Sequence, residues 1–101
     1  MIRHTVVFTL HAEPGSAKEQ DFLRAARVLG DIPGVQHFEQ LRQVSGKSDY
    51  TFGFAMEFQD SNAYAAYNDS PVHVDFVRTR WEPEVAAFSE LDFVPLELSA
   101  H

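Results

Sequence analysis

The sequence predicts an α+β domain with the element order β-α-β-β-α-β, and three observations carry that prediction. Residues 2 to 10, IRHTVVFTL, alternate with a period of two, His4, Val6, Phe8 and Leu10 on one face and Arg3, Thr5, Val7 and Thr9 on the other. Residues 50 to 58 alternate more strongly still, with Tyr50, Phe52, Phe54, Met56 and Phe58 opposite Thr51, Gly53, Ala55 and Glu57. Two further segments space their apolar residues as helices do. Taken in order, these elements make the split βαβ, or ferredoxin-like, unit: a four-stranded antiparallel sheet with helices on one face.

Each element has its own signal. The alternation that defines the first strand also sets His4 among apolar neighbours. Ser16 followed three residues later by Glu19 is a capping box, and Phe22, Ala26 and Leu29, with Leu23 beside them, predict a helix from about Ala17 to Gly30. The IPGV turn, residues 32 to 35, leads into a half-exposed strand, Val35 to Val44, that holds His37, Phe38 and Leu41 among polar residues. In the third strand the aromatic row marks a deeply buried face, and the small residues opposite leave room for a close approach to the other. Asp60 or Ser61 can cap a short helix through Tyr64 and Tyr67, and Pro71 suits the first turn of another that carries Val74, Val77 and Trp81. Leu91 and Phe93, alternating with Asp92 and Val94, predict a last strand from about Phe88 to Leu96, closed off by Pro95.

No linker, repeat or low-complexity stretch interrupts residues 1 to 101, so a single domain is expected. With 45% hydrophobic residues, 9 Phe, 3 Tyr and 1 Trp, a core can form. A chain this short nevertheless buries a smaller share of its surface than a larger one, which favours oligomers. The apolar runs fall far short of the roughly 20 residues needed to cross a bilayer, so no membrane partner is expected. The N-terminus lacks the apolar stretch and cleavage site of a signal peptide and reads as mature sequence. Absence of cysteine excludes disulfides and thiolate chemistry and suits a cytoplasmic protein. A net charge of −7, with the 8 Lys and Arg scattered rather than gathered in a stripe, argues against nucleic acid as a partner. Helices on one face leave the other face of the sheet uncovered, and a row of large apolar side chains is costly in water. Covering several of them at about 25 cal/mol per Å² stabilises association, and a symmetric homodimer, sheet against sheet, is the simple solution.

The opening IRHTVVFTL, the IPGV turn, the DYTFGFAMEFQD strand and the segment AYNDSPVHVDFV, in that order over residues 2 to 94, resemble the Dabb family, the stress-responsive A/B barrel domain. The resemblance implies two ferredoxin-like subunits packed as a dimeric α+β barrel, with a pocket between sheet and helices. A plant member closes a linear polyketide by aldol condensation, using histidine and tyrosine in that pocket; other members are known mainly as stress-induced or heat-stable proteins. By position, His4 matches the family's first-strand histidine, and Tyr67 and His73 match the ends of its Tyr-x-x-x-Pro-x-His segment around Pro71. Two positions depart from the pattern. Ser70 stands where the family often has histidine, and Phe52 where the plant cyclase has a third-strand histidine. The resemblance therefore implies one of two functions: acid–base cyclase, isomerase or lyase chemistry on a small aromatic or polyketide-like molecule, or a non-catalytic stress or ligand-binding role.

His73 falls in the first turn after Pro71, where it can face the sheet, and histidine titrates near neutrality as a general base requires. The alternative is a partly buried imidazole bonded to a carbonyl, Asp69 or Asp75. His4, on an apolar strand face, must find a polar partner in His73 or a ligand. Tyr67 can donate to a substrate carbonyl and stabilise an enolate, or it can pack against Tyr64 at i, i+3 spacing. Tyr64 reads as structural, Asp69 and Asp75 as turn and helix-start residues. Phe8, Phe52, Phe76, Val77 and Trp81 are the expected walls for a small apolar or aromatic ligand, while His37 and His101 join no cluster. No H-x-H or H-x-x-x-H pair with an acidic third ligand occurs, and no G-x-G-x-x-G, P-loop or G-x-S-x-G, so neither metal nor cofactor is expected.

Overall fold

The alternating residues at the start form strand β1 (Ile2–Leu10), which lies inside the sheet of a computed structural model that describes residues 1–98. It is followed by helix α1 (Ala17–Ala25), strands β2 (Gln36–Arg42) and β3 (Phe52–Phe58), helices α2 (Ser61–Asp69) and α3 (Pro71–Phe76), and strand β4 (Val85–Phe93). The strands pair antiparallel in the order β2-β3-β1-β4, which completes the ferredoxin-like βαββαβ arrangement. Tyr50 precedes β3 rather than joining it, and β4 begins three residues ahead of the expected Phe88. His101 lies outside the described residues. No helix among the described residues is long and apolar enough to cross a membrane.

Local chemistry sets the helix ends. Ser16 Oγ accepts from the Glu19 amide at 3.2 Å, and Glu19 Oε1 accepts from the Gly15 amide at 3.0 Å, so the capping box closes in both directions. The expected helix over 17 to 30 does not stay α-helical: beyond Ala25 it tightens into a 3-10 turn, Ala26–Asp31. Strand β2 bulges at His37 and Phe38, where His37 takes a φ of 52°, and the bulge sends Phe38 against Gly30 and Phe54. Asp60 caps α2 through the Ala63 amide at 2.9 Å. Ser70, held extended by the proline after it, separates α2 from α3, and Pro71 opens α3. Beyond α3 the chain widens into a π-helical turn, Val77–Trp81, in which the Glu82 amide reaches back five residues to the Val77 carbonyl. Pro83 has no amide proton and would crowd a carbonyl four residues back, so a regular α-helix cannot run through it.

One correction concerns the aromatic row of β3. Phe54 packs on Phe8 and Trp81, and Phe58 on Tyr64 and Tyr67, so the row faces the helices and forms the core with Phe22 and Phe76. Because side chains alternate along a strand, the helix-free face carries Thr5, Val7, Gly53, Ala55, Leu41, Leu91 and Phe93 instead, together with Ser89 and the ion-paired Arg3, Glu39 and Glu57. Any partner of the sheet meets that mixed, smaller set.

Candidate functional site

Between the helix-facing side of the sheet and the helical layer lies a cavity of about 520 Å³. Its sheet wall includes His4 and Val6 of β1, Phe54 and Met56 of β3, and Phe88 and Glu90 of β4. Its helical wall includes Tyr67, His73, Phe76, Val77 and Trp81. The break at Ser70 and Pro71 produces this convergence: α2 ends with Tyr67 pointing inward, and α3 begins with His73 beside it, their ring centroids 4.5 Å apart. The wide turn after α3 then brings Val77 and Trp81 to the same space.

His4 is buried, and its polar partner is Asp92. In the β1–β4 register the two residues are directly opposed, and Nδ1 of His4 lies 2.6 Å from Asp92 Oδ1. The Tyr64 hydroxyl donates to Asp92 Oδ2 at 3.0 Å and lies 2.8 Å from the same Nδ1. A carboxylate only accepts, so the proton of a neutral His4 sits on Nδ1 and its Nε2 keeps a lone pair. His73 is held in the same tautomer by other means. Its Nδ1 donates to the Asn68 carbonyl at 3.2 Å, which leaves Nε2 as the basic nitrogen. Tyr67 is 2% exposed, yet its hydroxyl has no hydrogen-bond partner among the described residues. No buried side-chain polar atom among those residues is both sealed from solvent and unpaired, so that hydroxyl opens into the cavity.

Burial sets the protonation of these groups. Desolvation lowers the His73 pKa, opposed by its bond to Asn68 and reinforced by His4, so the imidazole is neutral at pH 7. Desolvation raises Tyr67 well above the usual phenol range, with the Glu90 carboxylate adding to it, and raises Tyr64 likewise, with Asp92 next in importance. Both phenols remain proton donors. Glu82 and Glu90 line the cavity and no lysine or arginine does, so its field disfavours anionic guests. Among the described residues no group of three or more His, Cys, Asp or Glu side chains is placed to hold a metal ion.

Of the residues singled out from sequence, His4, Tyr67, His73, Phe76, Val77 and Trp81 line this one cavity. Phe8 does not: Phe22, Phe52, Phe54 and Trp81 enclose it, and it is 0% exposed. Phe52 faces a separate groove beside β2. His37 lies apart, its Nδ1 3.4 Å from Glu57. Asp92, Glu90 and the polar role of Tyr64 were missed, because they depend on pairing between strands at opposite ends of the chain. One signal was available. In a ferredoxin-like order the last strand borders the first, so a buried histidine on the first makes an acid on the last its natural partner.

The comparisons with known proteins agree with this architecture. The stress responsive A/B barrel domain matches residues 2–95. A Dabb family protein with a ferredoxin-like fold from Mesorhizobium loti is 60% identical, with 95% of this chain and 97% of that one aligned at a TM-score of 0.93. A dimeric ferredoxin-like protein of unknown function from Thermobifida fusca is 19% identical, covering 93% and 90% at a TM-score of 0.76. A hydroxynitrile lyase from Passiflora edulis is 14% identical, covering 97% and 95% at a TM-score of 0.81. No curated protein is significantly similar in sequence. A family match across nearly the whole length, joined to the strand order found here, means that the chain belongs to the stress responsive A/B barrel domain (Dabb) family.

Proposed function

We propose that the cavity binds a small, neutral, largely apolar molecule, aromatic or polyketide-like, and acts on it by acid–base chemistry of the cyclase, isomerase or lyase kind. The observation that carries this reading is the meeting of an unpartnered phenol, Tyr67, with two imidazoles whose Nδ1 atoms are both tied back, His4 to Asp92 and His73 to Asn68. A substrate carbonyl accepting from Tyr67 becomes more acidic at its adjacent carbon, because negative charge developing on the oxygen is stabilised. Nε2 of neutral His73 takes that proton as the carbon–hydrogen electron pair moves into the enolate, and the imidazolium returns the proton when the new bond has formed or the leaving group has gone. The Asn68 carbonyl stabilises the imidazolium meanwhile. His4, oriented by Asp92 and Tyr64, offers a second lone pair to a substrate hydroxyl. The similarity to a hydroxynitrile lyase adds a precedent for lyase chemistry on this fold. The working unit in this proposal is a homodimer, as in the dimeric relative from Thermobifida fusca.

A second reading has its own observation. The His4, Asp92 and Tyr64 trio is satisfied within the protein and ties β1, β4 and α2 together, which is what a non-catalytic ligand-binding or stress protein requires. The two readings separate in one experiment. Neutral phenols and β-diketones are screened by thermal shift, and hits are assayed for turnover with the unaltered chain, His73→Ala and Tyr67→Phe. Under the catalytic reading both variants keep their fold, and Tyr67→Phe lowers turnover by about 10²-fold or more, the scale of one lost oxyanion donor. Binding without turnover, insensitive to both substitutions, leaves the ligand-binding reading.

A further inference from the structure

Arg24, Arg27 and Arg42 are far apart or merely neighbours in sequence, but the fold gathers them in one open groove of about 390 Å³ between α1 and β2. Gln20, Arg24 and Arg27 are spaced four and three residues apart along α1 and its 3-10 extension, so they share one face. Arg42 is opposed to Phe52 in the β2–β3 register on the helix-facing side of the sheet. Its guanidinium carbon lies 5.2 Å from the centroid of that ring, an arrangement in which the aromatic face supports the cation. Leu23, Phe52 and Phe54 give the groove an apolar part, and no carboxylate lines it.

The charge balance makes this cluster notable. The chain has 15 Asp and Glu against 8 Lys and Arg, so most cations have acids to choose from. Arg3, Arg78 and Arg80 do pair with carboxylates, while the exposed Lys18 and Lys47 form no ion pair among the described residues. Among the described residues, Arg24, Arg27 and Arg42 have no ion-pair partner within 4.0 Å. Three guanidinia around one space repel one another and carry a field opposite to that of the whole molecule. An oxyanion of more than one negative charge relieves that repulsion. Guanidinium is the side chain suited to it, since its planar fork donates two parallel hydrogen bonds to phosphate oxygens.

We propose that this groove is a binding site for a phosphate monoester carried on a small aromatic or apolar body. The arginines hold the phosphoryl group, and Leu23, Phe52 and Phe54 receive the body. The volume falls in the range of small-molecule sites, whereas a nucleic-acid partner would need a longer basic track than three side chains in a strongly acidic chain. The site is distinct from the cavity: His4, Tyr67 and His73 do not line it, and Phe54 is the residue common to both. It therefore stands or falls independently of the acid–base reading.

The test titrates the full chain with phenyl phosphate, inorganic phosphate and benzoate, by calorimetry and by amide chemical shifts. The expected result is one saturable site per chain for phenyl phosphate, at least tenfold tighter than for either other anion, with shifts centred on residues 20–27 and 40–42. Arg42→Gln and Arg27→Gln should each weaken it at least tenfold, while His73→Ala leaves it unchanged. These arginines are exposed, so the variants should keep the melting temperature of the unaltered chain and report on binding alone. Equal affinity for phenyl phosphate and inorganic phosphate, indifference to both arginine substitutions, or shifts centred on the cavity would each overturn the proposal.

Discussion

Tyr67 and His73 meet at the cavity with opposite arrangements of their polar atoms. The Tyr67 ring is sealed and its hydroxyl left unpaired, whereas His73 is half-buried with one nitrogen anchored and one free. Burial is the main cause that pulls the His73 pKa below its ordinary value of about 6.5, and this has a consequence for pH dependence. The folded protein prefers the neutral imidazole, so the unfolded chain binds more protons through the interval between the two pKa values. The stability His73 contributes is thus present above the unfolded pKa and is lost as pH falls through the folded one. Turnover should follow the same direction, level above neutrality and falling on the acid side, because only the neutral form accepts a proton. A pH profile of kcat/KM whose acid limb sits below the free-histidine value, and whose stability counterpart vanishes in His73→Gln, is the expected outcome. An acid limb above that value would assign the limb to another group. The spacing Tyr67, Pro71, His73 was legible in the sequence because a proline break acts locally. Asp92 was not legible, because its contact with His4 spans nearly the entire chain and exists only once β4 has found its register beside β1.

At the scale of elements, the strands and caps were legible where the cause is a short repeat, and the departures arise where one element yields to another. The capping box fixed the start of α1, but its far end depends on Phe38, a residue of the next strand. A Cβ at Gly30 would lie 2.8 Å from Phe38 Cδ2 and 3.2 Å from Phe38 Cβ, so glycine is required by the neighbour rather than by its own backbone angle. Gly30→Ala should therefore destabilise the protein although alanine is the better helix former. Overpacking of this kind costs about 1 to 3 kcal/mol, against a helix-propensity gain of at most about 1 kcal/mol. Chemical denaturation measures the balance. The companion change Phe38→Leu, which trims the ring, should recover part of the loss when combined with Gly30→Ala, since residues in contact do not add. A more stable Gly30→Ala protein would mean that Phe38 is free to move away, and that the bulge at His37 serves some purpose other than placing it.

For the molecule as a whole, the two faces of the sheet divide the work. The aromatic row that suggested a partner from sequence is spent on the helices, because Phe22, Phe76, Trp81 and the α2 tyrosines close over it. What remains on the helix-free side is a shallower surface of Thr5 and Val7 beside the buried Gly53 and Ala55, bordered by Leu41 at 44%, Leu91 at 57% and Phe93 at 51% exposure. Charged residues on this face gather at one end, where Arg3 pairs with Glu39 and Glu57, whereas an antiparallel sheet whose second face served only water would carry charged and polar residues along its middle as well. Small central residues with larger apolar ones toward the edges suit a second sheet instead, since the centre allows close approach and the borders supply area to bury. Light scattering at micromolar concentration should give twice the mass of one chain. In a two-fold assembly each substitution appears twice at the interface, so Leu91→Glu adds two buried carboxylates and should shift the equilibrium strongly toward monomer. The Leu91 side chain points away from the cavity, so ligand binding by the monomeric variant reports whether the site needs its partner. A wild-type monomer at that concentration would leave this face as ordinary surface. A Leu91→Glu variant that stays dimeric would place the interface on another part of the molecule, of which the exposed edge of β4 around Phe88 is the next apolar candidate.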